Sequence, residues 1–187
     1  MSPDLKPLRA KTNLRLESYD YSQAGAYFVT VCAWRRQSLF VSPDVKAIVE
    51  AVWRDVPDHF PAVIRDVFVV MPNHFHAVIM LNSVAVGSQH AGSLRPGRNR
   101  LEPGSLSVIV RSFKAATTRQ LRAGGFISGE VWQRNFYDHV IRNQPELDRI
   151  REYVALNPAR WQFDYDNPDR VTDSQYERAW SWLEARS

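Results

Sequence analysis

Hydrophobic and polar positions along the chain follow two different periods. Tyr27 to Trp34 (YFVTVCAW) interleaves β-branched and aromatic residues, which predicts a first strand after a polar arm over residues 1–26. Pro43 and Asp44 open a stretch whose apolar positions Val45, Ile48, Val49, Val52 and Val56 recur at helical spacing, with Pro57 closing it. Residues 63–70 (VIRDVFVV) and 74–81 (HFHAVIML) are two more strand-like runs around a turn-prone Met-Pro-Asn, so a hairpin is expected. From 82 to 104 large apolar residues all but vanish, and the composition predicts a mobile basic loop. Leu106, Ile109, Val110, Phe113 and Leu121 then mark a second helix, ended by Gly124 and Gly125. A short strand is expected around Val131 to Phe136, and a helix over 145–157 between Pro145 and Pro158. A last helix, about 175–185, would pack Tyr176, Trp180 and Leu183. The order strand, helix, strand, strand, helix, strand is that of a ferredoxin-like (RRM-like) α+β sandwich, an antiparallel sheet with helices packed on one face. Its other face would be free to act as a nucleic-acid platform.

Composition narrows the class. The 187 residues are 44% hydrophobic and 12% aromatic, which suits one globular domain rather than a disordered chain. At this length roughly 70% of the unfolded surface is buried, enough for a core without disulfides. The single cysteine, Cys32, cannot form an internal bridge, and no apolar leader follows Met1, so a reducing, cytoplasmic setting is expected. No run approaches the roughly 18 apolar residues of a membrane span, so no membrane partner is expected.

The net charge of +4 is unevenly spread. Residues 83–124 hold seven basic side chains (Arg95, Arg98, Arg100, Arg111, Lys114, Arg119 and Arg122) against Glu102, and Lys6, Arg9, Lys11, Arg15, Arg35 and Arg36 precede Gln37 with three acids. Two basic patches on an otherwise acidic chain suit a polyanion partner; a solvated surface is the plainer reading.

Three groups of residues could carry chemistry. His74 and His76, two apart on a strand, share one face and send Phe75 to the other, so the two imidazoles could bind one divalent cation or could be ordinary sheet histidines. Tyr153 and Asn157, four apart on a helix, stack on one face. Near neutrality a phenol needs help to become a nucleophile, and a cation held by the histidines, with the Asn157 oxygen as third ligand, would supply it by neutralising a phosphate oxygen. The plainer alternative has Tyr153 packed on the sheet and Asn157 capping its helix. The block VWQRNFYDHVIR (131–142) interleaves Trp132, Phe136 and Tyr137 with Arg134, His139 and Arg142. That pattern suits base stacking and phosphate pairing on single strands, or plain core; Tyr137 and His139 are the runner-up nucleophile and ligand.

Four ordered blocks, YFVTVCAWRRQSLF (27–40), VVMPNHFHAVIML (69–81), VWQRNFYDHVIR (131–142) and REYVALNPARW (151–161), together resemble the REP-associated tyrosine transposases, a bacterial branch of the single-tyrosine HUH transposases. The resemblance implies a catalytic domain over 27–161, flanked by the basic arm and by an acidic, aromatic tail over 162–187. It implies that His74-Phe75-His76 is the HUH motif, that Tyr153 rather than Tyr137 is the nucleophile, and that Asn157 completes a Mg²⁺ or Mn²⁺ site. The expected substrate is single-stranded, hairpin-forming DNA, cleaved and rejoined through a 5′-phosphotyrosine, with Arg35, Arg36, Arg111, Lys114, Arg134 and Arg142 on its phosphates. One ester replaces another, so no nucleotide cofactor is expected, in keeping with the missing Gly-x-x-x-x-Gly-Lys loop. Either a monomer or a homodimer could work with one tyrosine. A metal phosphoesterase using water, or a non-catalytic single-strand-binding module, are the rival classes.

Overall fold

The β-branched and aromatic runs pair into one antiparallel sheet. A computed structural model describes Tyr21, residues 23–82 and residues 103–184. The strands are β1 (Gly25–Cys32), β2 (Val63–Val70), β3 (His74–Leu81) and β4 (Tyr137–Ile141), in the order β2-β3-β1-β4. The helices are α1 (Pro43–Arg54), a single turn α2 (Val56–His59), α3 (Leu106–Ala123), α4 (Gln144–Leu156) and α5 (Ser174–Glu184). The class is α+β, with the ferredoxin-like connectivity expected. The basic arm and the 82–104 loop fall almost wholly outside the described residues, as do Arg95, Arg98 and Arg100.

Alternation along the strands sorts side chains between two cores. Tyr27, Val29, Val31, Phe75, Ala77 and Ile79 face α1 and α3 and build the larger one. At its centre the fully buried Phe75 ring lies 5.0 Å from Trp53 and 4.9 Å from Phe113. Phe75→Ala is therefore expected to cost about 3–5 kcal/mol of stability, the range for emptying a packed aromatic site, read as a lower urea midpoint.

The opposite face, expected to be open, is covered. Phe28, Val78 and Ile141 are packed under Leu147, Ile150, Tyr153 and Val154 of α4 and Tyr176, Trp180 and Leu183 of α5. These helices carry enough apolar residues to bury a second sheet face, so β3 is apolar on both sides apart from its histidines. Helix α4 starts with Asn143 as N-cap: its side chain accepts the Glu146 N–H at 2.9 Å, and the Glu146 carboxylate accepts the Arg142 N–H at 2.8 Å. Arg151, one turn further on, clamps the helix to β2 through Asp66, with Nη2 2.6 Å from Oδ2.

The strand expected at 131–136 is displaced. Only Trp132 makes a bridge, to Ala33, and the true edge strand is Tyr137–Ile141. The Lys114 ammonium of α3 donates to the main-chain carbonyls of Gln133, Arg134 and Asn135, which turns them away from a ladder. Burial pushes the Lys114 ammonium down to about 8 from 10.5, partly opposed by the Cys32 thiol. Between those values the unfolded chain holds a proton that the folded chain has lost, so stability should rise with pH across that window. Melting curves of wild type and Lys114→Met from about pH 7 to 10.5 should show the wild type gaining on the variant as pH rises.

Candidate metal and nucleophile site

The period of β3 turns His74 and His76 toward α4, with ring centroids 4.3 Å apart and exposures of 0% and 3%. His76 Nδ1 lies 2.8 Å from Thr30 Oγ1 on β1, and the Phe28 ring stacks on its imidazole at 5.2 Å. His74 Nδ1 lies 2.9 Å from Asn73 Oδ1. With Nδ1 of each ring in these bonds, Nε2 is the nitrogen that each would offer to a cation.

The third member of the group is Asp164, which the sequence reading did not single out. After α4 the chain makes a 3-10 turn, Asn157–Phe163, that brings Asp164 under the sheet. There it is buried, and the candidate ligand atoms of His74, His76 and Asp164 all lie within 4.8 Å of one another. Two imidazoles and a carboxylate at that spacing fit a divalent cation. Asn157, the expected third ligand, is also buried, and among the described residues neither its Oδ1 nor its Nδ2 has a hydrogen-bond partner, so an amide ligand remains compatible with its setting. Asp166 follows: its Oδ2 is 3.8 Å from His74 Nδ1 and its carboxylate pairs with Arg36.

Tyr153 reaches the same place from α4. Its ring centroid lies 5.4 Å from that of His76, 6.0 Å from Phe28 and 5.2 Å from Trp180, and it is 6% exposed. A cavity of about 40 Å³ is lined by Thr30, His76, Tyr137, Tyr153 and Asp164 among others, space for a few water-sized groups but not for a nucleotide. The runner-up Tyr137 borders this cavity too, in register with Thr30, which separates it from His76 by one strand. His139, the runner-up ligand, is instead 2.8 Å from Glu146 Oε1. Burial alone would raise the Glu146 carboxyl, but the Arg142 N–H and His139 outweigh it and hold it below its ordinary value.

The basic residues divide. Arg111, Lys114 and Arg134 line one groove of about 1210 Å³ between α3 and residues 130–136, with Arg119 and Arg122 beside them. Arg142 is exposed at the end of β4. Arg35 and Arg36 both have positive φ, 52° and 55°; Arg35 is exposed over the Trp34 ring, whereas Arg36 borders the small cavity. Trp132, a candidate for base stacking, is core: its ring is 4.8 Å from Phe40, and Phe136 packs against the same cluster.

Asp164 and Asp166 lie in an Asp-Tyr-Asp-Asn-Pro run (164–168) shortly after the last recognisable block, a run with no periodicity to mark it, and Asn73 belongs to the turn-prone Met-Pro-Asn.

No protein-family model matches the chain. An uncharacterized protein of Haemophilus influenzae is 33% identical over 167 residues, covering 82% of this chain and 91% of that one. Among solved structures, a REP-associated tyrosine transposase bound to a REP hairpin superposes with a TM-score of 0.53 at 22% identity, over 75% of this chain and 70% of that one. The fold is shared.

Proposed function

We propose that this chain, which belongs to one family with the Haemophilus influenzae protein and shares its fold with a REP-associated tyrosine transposase, is itself an HUH-type tyrosine transposase that cleaves and rejoins single-stranded DNA. The observation that carries this reading is the convergence of His74, His76 and Asp164, within 4.8 Å at their ligand atoms, with the Tyr153 ring 5.4 Å from His76. In this reading His74 and His76 hold Mg²⁺ or Mn²⁺, with Asp164 and Asn157 completing the set. When bound, the cation neutralises a non-bridging oxygen of the scissile phosphate.

Admitting the scissile phosphate requires the cavity of about 40 Å³ beside Tyr153 to widen; Tyr153 then attacks phosphorus. A bond forms between its phenolic oxygen and phosphorus, the bond from phosphorus to the 3′ oxygen breaks, the phenol gives up its proton and the departing 3′ oxygen takes one up. The products are a 5′-phosphotyrosine and a free 3′-hydroxyl. Attack by a different 3′-hydroxyl reverses the step and joins strands, so no nucleotide is consumed. Aromatic rings frame the site on the sheet side: Phe28 stacks on His76, and Phe28 and Trp180 flank Tyr153. Arg111, Arg134, Arg142 and Arg35, all exposed, are the proposed phosphate contacts along the DNA. Arg36 and Lys114 join them while also bonding Asp166 and the 133–135 carbonyls. Hairpin-forming single strands are the proposed substrate.

The test is incubation with labelled single-stranded hairpin DNA and Mn²⁺, followed by a denaturing gel. A protein–DNA adduct supports the proposal. Cleavage with turnover and no adduct makes the chain a phosphoesterase, and binding without cleavage makes it a binding module.

A further inference from the structure

Asn73 sits in the turn between β2 and β3 and is fully buried. Its side chain reaches three partners at once. Nδ2 donates to the main-chain oxygens of Asp166, at 2.6 Å, and Arg36, at 3.2 Å, while Oδ1 faces His74 Nδ1 at 2.9 Å. The two carbonyls fix which way round the amide lies, because a flipped amide would set its oxygen against two acceptors. The oxygen therefore faces His74, and since it can only accept, Nδ1 must carry the proton. That leaves the Nε2 lone pair on the ligand side. At His76 the same logic decides nothing, because the Thr30 hydroxyl can donate or accept.

We infer that Asn73 is a positioning residue: it holds His74 as the Nδ1–H tautomer and, through the Asp166 carbonyl, pins the segment that delivers Asp164. The inference rests on the metal-site reading of His74, His76 and Asp164. One buried amide thus orders two of the three candidate ligands, although they come from elements some ninety positions apart. Partners of this kind orient a metal-bound histidine, and their loss weakens metal binding about 10–100-fold.

Two measurements without DNA test it. Long-range ¹H–¹⁵N spectra of the metal-free protein above the imidazole titration read the tautomer of His74. Calorimetry with Mn²⁺ alone reads affinity. The wild type should show Nδ1–H at His74. Asn73→Ala should move it toward Nε2–H and weaken Mn²⁺ about 10–100-fold. Asn73→Asp keeps an acceptor toward His74 and should retain Nδ1–H, although its second oxygen then faces the Arg36 and Asp166 carbonyls without a donor; should either variant fold poorly, the wild-type tautomer alone decides. Nε2–H in the wild type overturns the inference. So does an alanine variant, or an aspartate variant, whose tautomer departs from these expectations, or an alanine variant with unchanged Mn²⁺ affinity. A wild type that binds no Mn²⁺, yet whose tautomer depends on Asn73, overturns the proposed function and supports the positioning role.

Discussion

Tyr153→Phe should abolish adduct formation and strand cleavage, by at least about a thousandfold, while leaving hairpin affinity within a few-fold of wild type. The substitution deletes one oxygen and keeps the ring, so the contacts with His76, Phe28 and Trp180 that hold α4 and α5 to the sheet persist. A loss of activity would then report chemistry rather than unfolding, and an unchanged melting temperature checks this. Tyr137→Phe is the matched control: it borders the same cavity from β4 and should retain the adduct. If the two variants behave the other way round, the nucleophile is Tyr137 and the helix face of Tyr153 is packing only.

His76→Ala has the second large effect. His76 is the shared neighbour of Tyr153, Phe28 and His74, so its loss should cost both Mn²⁺ binding, by more than about 100-fold, and cleavage. The rest of the ligand set can be read from the same titration. Asp164→Asn removes the charge from a residue that lies with both histidines within 4.8 Å, whereas Asn157→Ala removes a buried amide. The charged ligand should matter more, since a carboxylate contributes full charge to the cation and an amide only a dipole. Asp164→Asn losing less Mn²⁺ affinity than Asn157→Ala would reverse their assigned ranks. Circular dichroism of each variant separates lost ligation from lost fold.

Much of this arrangement was legible in the residues. The two-residue period of 74–81 places both imidazoles on one face and Phe75 on the other, and the structure has them so. The four-residue spacing of Tyr153 and Asn157 marks one side of a helix, though only tertiary packing brings that side to β3. What failed had physical causes. Strand β4 carries Asp138 and His139, the latter 2.8 Å from Glu146 Oε1, and these polar residues hide its alternation, so that the more aromatic 131–136 reads as the strand. Asp164 reaches the histidines from an irregular turn, where no periodicity operates and the decisive contacts span some ninety positions. The covered sheet face went unforeseen because α4 and α5 read equally well as helices packed anywhere along the rim.

The most direct measurement is peptide mapping of the adduct trapped on single-stranded hairpin DNA with Mn²⁺. After nuclease and protease digestion, tandem mass spectrometry locates the residue that bears the remaining nucleotide. The account predicts a phosphodiester on Tyr153, absent when His76 is replaced by alanine. A nucleotide on any other side chain, or DNA cut with no modified peptide at all, would contradict it.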